Sequence, residues 1–296
     1  MNAFVVAWRV SRRLPVSVIR AAAWLVAMYG WARKAKPARR LEQNLHRVTG
    51  LEGRALRRLS RRGMASAARY YADVLELPRM SGAVIDARVR LEGFEEIEWV
   101  FEREHGMVAA LGHSGNWDLI GAYACRNIIK VTAVAEVLEP RDVYDEFVAF
   151  RENLGMQILG HEGSSTFRQL LRITKSEHTL VCLLSDRDLS GSGVEVSMWG
   201  RAVRVAPGPA ALAHAAHTAL LPVSVRYERL KGKRRRAAKS GWGIVLTFGE
   251  VLLPEDFTGS DKVVTMTQAW AQSLARGIAA HPEDWHMLQR FGWVEA

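Results

Sequence analysis

Residues 107–118 read Met107-Val-Ala-Ala-Leu-Gly-His113-Ser-Gly-Asn-Trp-Asp118. A run of small and apolar residues, read as a strand over 107–112, delivers a histidine to a tight Ser-Gly-Asn turn. Asn116 and Asp118 stand where a helix begins, so strand, turn and helix follow one another. An aspartate five positions after the histidine can fix its tautomer and support the imidazolium formed when it takes a proton from a hydroxyl. The logic is that of a triad without its serine. Two plainer roles stay open: Asp118 can be only a helix cap, and His113 can be only a structural residue at a strand end.

Working outward, the same alternation recurs. Strands are expected at 107–112, 130–135, 155–159, 179–184, 220–227 and 243–248, with a short one at Val89-Arg-Leu-Glu-Gly93. Helices are expected between them at 117–127, 140–154, 165–175 and 207–218, and a last one at about 263–280. Before the first strands, helical spacing runs through 41–78 and ends at Pro78, and 94–105 reads as a helix closing at Gly106. Val194 to Arg204 reads as a hairpin around Gly200-Arg201. The predicted fold class is therefore α/β: a mixed, largely parallel central sheet flanked by helices on both faces, with an N-terminal basic helical extension. Residues 1–40 form the arm and 41–296 a single domain. Ligands of such sheets bind beyond the carboxyl ends of strands, which is where His113 and Asp186 both fall.

The charge is uneven. Residues 1–72 hold 16 Lys and Arg against Glu42 and Glu52, a balance of +14, so the chain's net +10 leaves −4 for the rest. A basic arm implies an anionic partner: membrane lipid, nucleic acid or a phosphate-bearing substrate. Leu14 to Trp31 is apolar but is interrupted by Arg20, too short and too charged to span a bilayer, and no signal-peptide cleavage site follows it. Flanking Arg9, Arg12, Arg13, Arg33, Lys34 and Lys36, with Trp8, Trp24 and Trp31, suit a helix lying at a headgroup boundary. The same helix can equally dock on the protein's own core, and the two are compatible. Nucleic acid is not expected, because no recognition motif or zinc spacing accompanies the charge. The two cysteines, Cys125 and Cys182, sit in apolar surroundings and fit a reducing cytoplasm rather than a disulfide framework. No metal site is expected.

Two further constellations carry charge at strand ends. Ser185-Asp186-Arg187-Asp188 closes the apolar run Thr179 to Leu184, where its carboxylates can orient a histidine, bind a polyhydroxyl substrate or form a structural ion-pair network. Glu136 follows strand 130–135 and is paired with Arg151, a residue suited to phosphate or carboxylate. Asn116, Glu136, Arg151, Arg187 and Asp188 are thus candidate substrate-binding residues beside His113, Asp118 and Asp186. The nucleophile elbow Gly-x-Ser-x-Gly fails, since Asn116 stands where its last glycine belongs. Walker A, Rossmann and His-Glu-x-x-His patterns are absent from the sequence. A base without its own nucleophile points to a hydroxyl supplied by an acceptor. The insert Lys231-Gly-Lys-Arg-Arg-Arg-Ala-Ala-Lys239 reads as a basic hairpin loop between two strands.

His113-Ser-Gly-Asn-Trp-Asp118 resembles the His-x4-Asp motif of the glycerolipid and lipid A acyltransferase superfamily. The wider pattern is similar to actinobacterial phosphatidylinositol mannoside acyltransferases, through Val134-Ala-Glu136, Phe150-Arg-Glu-Asn-Leu-Gly155, Asp186-Arg-Asp-Leu189 with Ser192-Gly-Val194, Pro207-Gly-Pro209 and Asp284-Trp-His-Met-Leu-Gln289. The resemblance implies transfer of a long acyl chain from acyl-CoA, a co-substrate and not a resident cofactor, to a mannose hydroxyl of a phosphatidylinositol mannoside. Another glycolipid or a lysophospholipid is the alternative acceptor, and a non-catalytic membrane-binding protein the alternative of a different class. It further implies an enzyme held peripherally on the cytoplasmic face of the plasma membrane. His113 would be the base, Asp118 its local partner and Asp186 the acid orienting it from a neighbouring strand. Relatives are expected to carry the longer Glu at that last place. Glu136 and Arg151 would shape the donor and acceptor pocket.

Overall fold

The computed structural model describes residue 8 and residues 13–137, 139–188, 191 and 193–294. Leu189 and Ser192 of the matching stretch and Arg9 and Arg12 of the arm lie outside the described residues. From residue 13 onward the described chain runs through α1 (Val16–Ala32), α2 (Lys36–Thr49) and α3 (Gly53–Glu76). The helical spacing read over 41–78 therefore breaks in two. Gly50 ends α2 in the left-handed region at φ 66°, the usual way for glycine to stop a helix. Then follow α4 (Gly82–Arg88), β1 (Val89–Glu92), α5 (Glu98–Arg103), β2 (Gly106–Leu111), α6 (Trp117–Asn127), β3 (Lys130–Ala135), α7 (Arg141–Glu152) and β4 (Gln157–Gly160). The chain continues through α8 (Ser164–Ser176), β5 (Thr179–Leu184), the hairpin β6 (Val194–Met198) and β7 (Arg201–Val205), α9 (Gly208–Ala216), β8 (Leu220–Arg229), α10 (Gly232–Ala237), β9 (Trp242–Phe248) and α11 (Lys262–Ala280).

Seven strands form one sheet in the order β1-β9-β8-β2-β5-β3-β4. All neighbours run parallel except β8 and β9, which form an antiparallel hairpin. The basic insert between those two is not an open loop. It contains the short helix α10, where Arg234 bonds Glu228 and the Ala87 carbonyl. The helix read over 94–105 is only the short α5, because the chain from Phe94 first turns back on itself through an Ile97 to Phe94 hydrogen bond.

Strand β2 is buried along its whole length, and alternate residues go to opposite cores. Met107, Ala109 and Leu111 face the core under α3 and α6, whereas Val108 and Ala110 face the one under α8, α9 and α11. Two covered faces explain why this strand reads as an unbroken apolar run.

The N-terminal helix docks against the domain along one side. Trp31 bonds Ser60 on α3, Arg20 pairs with Glu76, and Ala27, Met28 and Trp31 pack against the cluster that Leu41 and Leu45 of α2 form with Leu59 and Met64 of α3. The opposite stripe, including Val18, Leu25, Val26 and Tyr29, is exposed. Of the three tryptophans read as headgroup anchors only Trp24 is exposed; Trp8 is buried against Phe147 and Phe150, whose rings offer it more apolar contact than a surface would. Among the described residues no helix is long and apolar enough to cross a membrane.

Arg88, 1% exposed, ties the helical layer to the sheet. Its guanidinium meets Asp73 at 2.9 Å, Glu76 at 3.3 Å and the Ala238 carbonyl at 3.2 Å. Burial raises the Asp73 carboxyl above its ordinary range, even with Arg88 pulling it down. Removing one partner of a buried pair strands the other's charge. Arg88→Ala is therefore expected to lower unfolding stability by about 3–5 kcal/mol, read as a shifted midpoint in chemical denaturation.

Candidate active site

The parallel register sets Leu111 of β2 opposite Leu184 of β5. The ladder runs one step further, through a bond from the Ser185 amide to the Leu111 carbonyl, so the next residues of both chains also meet. His113 and Asp186 consequently face each other beyond the strand ends. Asp186 Oδ1 lies 2.6 Å from His113 Nδ1, and Asp186 Oδ2 accepts from the His113 amide at 2.9 Å and from Trp285 Nε1 at 3.0 Å. Asp186 is fully buried while the His113 side chain is 26% exposed. Burial alone would raise the Asp186 carboxyl, but His113, Trp285 and the His113 amide outweigh it and hold it below its ordinary value. An ionised acceptor at Nδ1 keeps the proton on that nitrogen and leaves Nε2 with its lone pair for a substrate.

The turn holding His113 tolerates little change. Gly115 adopts φ +60°, and a β-carbon there would stand 2.5 Å from Val225 Cγ1 and 2.9 Å from the Val225 backbone. Asn116 then caps α6, accepting from the Leu119 amide at 2.9 Å. It is wholly buried, so of the candidate substrate-binding residues it serves the turn instead.

Asp118 does not reach His113. It sits in the first turn of α6, and its carboxylate accepts from Arg151 Nε at 2.7 Å and Tyr70 Oη at 2.9 Å. Burial and this carboxylate push the Tyr70 phenol well above its usual range, keeping it a donor. Burial would lower the Arg151 value, but Asp118 and Tyr70 raise it, so the guanidinium stays charged. Tyr70 also packs on Trp117, with ring centroids 4.3 Å apart, and Trp117 meets His113 edge-on at 5.6 Å. Asp118 thus bears on His113 through an aromatic wall.

Glu136 and Arg151 are not partners. Arg151 turns to Asp118 and lines a narrow apolar cavity between α6 and the sheet, whereas exposed Glu136 lines a separate groove. That groove, about 550 Å³, lies between α8 and α9 at the carboxyl ends of β3 and β5. His113, Glu136, Arg187 and Asp188 edge it, and Phe167, Leu170, Leu183 and Leu212 are among its apolar walls. Asp188 Oδ2 also accepts from the Gly193 amide at 2.7 Å, closing the loop beyond β5.

The chain's last segment straps the site together. The His286 amide donates to the His113 carbonyl at 2.7 Å, Gly115 donates to the Asp284 carbonyl at 2.9 Å, and Trp285 bridges to Ser114. Ser66 donates to Asp284 Oδ1 at 2.6 Å and lies 3.0 Å from His286 Nε2. With its one hydrogen spent on Asp284, Ser66 accepts from His286, which fixes the Nε2–H tautomer. Burial, with Arg69 and His113 nearby, pushes His286 down to about 3. Cys182, by contrast, is pushed up to about 12 by burial and stays a thiol, so it offers no nucleophile.

A histidine held by a buried carboxylate at the mouth of an apolar groove has the geometry to take a proton from a hydroxyl. The sequence pattern of the bacterial lipid A biosynthesis acyltransferases matches residues 2–291. The chain belongs to that family. Among relatives of this acyltransferase, a phosphatidylinositol mannoside acyltransferase from Mycolicibacterium smegmatis is 34% identical over 284 residues, covering 95% of this chain and 88% of its own. One from Mycobacterium tuberculosis is 35% identical over 292 residues, covering 97% and 86%. A solved 1-acyl-sn-glycerophosphate acyltransferase, PlsC from Thermotoga maritima, aligns over 91% of this acyltransferase and 98% of its own chain, with a TM-score of 0.41 at 11% identity.

Sequence reasoning about side-chain chemistry missed Tyr70, Ser66, Trp285 and His286. Only the Asp284 to Gln289 stretch had drawn attention, and as a pattern without a role. His286 gives a measurable signature. Its pKa falls from about 6.5 unfolded to about 3 folded, so the unfolded chain takes up this proton first. The neutral ring's contribution is complete above about pH 6.5 and is lost as the pH falls towards 3. The stability gap between wild type and His286→Gln is expected to narrow by roughly 1–2 kcal/mol between about pH 7 and pH 5, measured by urea denaturation. A gap independent of pH would show that the ring is not held neutral.

Proposed function

We propose that this acyltransferase moves a long acyl chain from acyl-CoA to a mannose hydroxyl of a phosphatidylinositol mannoside, at the cytoplasmic face of the plasma membrane. The observation carrying the reading is the His113 and Asp186 pair, 2.6 Å apart at the mouth of an apolar groove. Kinship with the mycobacterial phosphatidylinositol mannoside acyltransferases supports the acceptor, and acyl-CoA is the donor that the family resemblance implies. The exposed stripe of α1 supports peripheral attachment.

In the proposed step the acceptor hydroxyl gives its proton to His113 Nε2 as its oxygen attacks the thioester carbon. A tetrahedral oxyanion forms, and the C–S bond then breaks. The departing thiolate takes the proton from His113, leaving the ester and free CoA. The Ser114 and Gly115 amides are already engaged by the Gly112 and Asp284 carbonyls. The Leu119 and Ile120 amides are likewise taken by Asn116, so the oxyanion is assigned to the Trp117 and Asp118 amides at the start of α6, where the helix dipole favours negative charge. Glu136, Arg187 and Asp188 line the polar end of the groove, where they suit sugar hydroxyls and phosphates.

A positioned base contributes about 10²–10⁴-fold in rate. His113→Ala is expected to lower turnover by at least about 10²-fold with unchanged folding, and Asp186→Asn by a similar factor through the wrong tautomer. The assay pairs labelled acyl-CoA with a panel of glycolipid acceptors. Wild-type turnover in His113→Ala would remove it as base, and product formed only on lysophospholipids would overturn the acceptor.

A further inference from the structure

A second concave surface lies away from His113. Helix α2 carries its basic residues at helical spacing opposite the buried face of Leu41 and Leu45, so they gather in one stripe. Arg201 from β7 and Arg290 from the terminal strap close on that stripe. The result is a groove of about 1080 Å³ in which Lys36, Arg39, Arg40, Arg47, Arg201 and Arg290 converge. Among the described residues no acid lines it. Across this hollow the five cations other than Arg47 repel one another, and an anion bound there relieves that repulsion.

The groove has a fixed floor. Asn44, 4% exposed, donates to the Met287 carbonyl at 2.9 Å and the Gln289 carbonyl at 3.1 Å, and accepts from Trp293 Nε1 at 2.8 Å. Arg47 in turn lies 5.3 Å from the centre of the Trp293 ring. Five of the six cations are arginines, whose planar forks match phosphate oxygens in pairs. Only Arg33 to Ala35 separate α2 from α1, whose apolar stripe is exposed.

We infer that this groove binds the phosphate of an anionic phospholipid headgroup, at a site separate from the one where acyl transfer occurs. The inference rests on the membrane attachment proposed above. It extends that reading from a diffusely basic arm to a defined pocket built from α2, the hairpin and the strap.

The test is co-sedimentation of the full chain with phosphatidylcholine vesicles, with and without phosphatidylinositol. Wild type is compared with the triple variant Arg39→Gln, Arg40→Gln, Arg290→Gln, whose thermal midpoint is checked first. Wild type is expected to prefer the anionic vesicles by at least about tenfold, falling with salt. The triple variant should lose that preference while still binding neutral vesicles. A preference retained by the variant overturns the inference. Competition by soluble glycerophosphoinositol or CoA at concentrations matching the lipid phosphate overturns it too, assigning the groove to a soluble ligand. Failure to bind vesicles of either kind overturns membrane attachment itself.

Discussion

The hydrogen-bonded pairing of β2 with β5 is the constraint on which the rest depends. Parallel register between two central strands brings the residues just beyond them into opposition, and those residues are His113 and Asp186. A slip of one residue would send the histidine to the other face of the sheet. Both covered faces of β2 oppose that slip, because Met107, Ala109 and Leu111 fill one core while Val108 and Ala110 fill the other. The geometry of the His113 and Asp186 pair is thus set by the packing of apolar side chains that lie away from it.

Around that pair the molecule places two supports. Tyr70 and Asp118, with Arg151, hold the Trp117 wall on one side of the imidazole. Trp285 and His286, anchored by Ser66 and Asp284, hold the carboxylate and the turn on the other. Buried acids would be costly here if left alone. Each has found donors in fixed positions: Asp186 the His113 ring and amide and Trp285, Asp118 an arginine and a phenol, Asp284 a serine and the Tyr227 amide. The outcome is an imidazole about a quarter exposed on a mostly desolvated foundation.

Much of this was legible beforehand where the signal is local. Short apolar runs located β2, β3, β5, β8 and β9 to within two residues, and the excess of basic residues over 1–72 was plain. The placement of His113 and Asp186 after strands was legible for the same reason, since a strand end is a local event. The roles of Asp118 and Arg151 were not. Spacing along the chain made Asp118 a neighbour of His113, yet a helix that starts at Trp117 turns the aspartate away from it and toward Tyr70, 48 positions earlier. Nor could spacing separate Arg151 from Glu136, whose opposed directions follow from which side of the sheet each side chain meets.

Local patterning along the chain fixes the α/β class, the run of strands and helices, and the position of a histidine just past a strand's carboxyl end. These follow from periodicity, turn residues and chain-local geometry. Only the tertiary structure decided which acid serves that histidine, that a C-terminal strap completes the site, and that the arm's charges gather with Arg201 and Arg290 into one groove. Each of those joins residues tens to hundreds of positions apart, and no local preference of the chain encodes such distances. They are settled by strand register and by how two cores close over the same sheet.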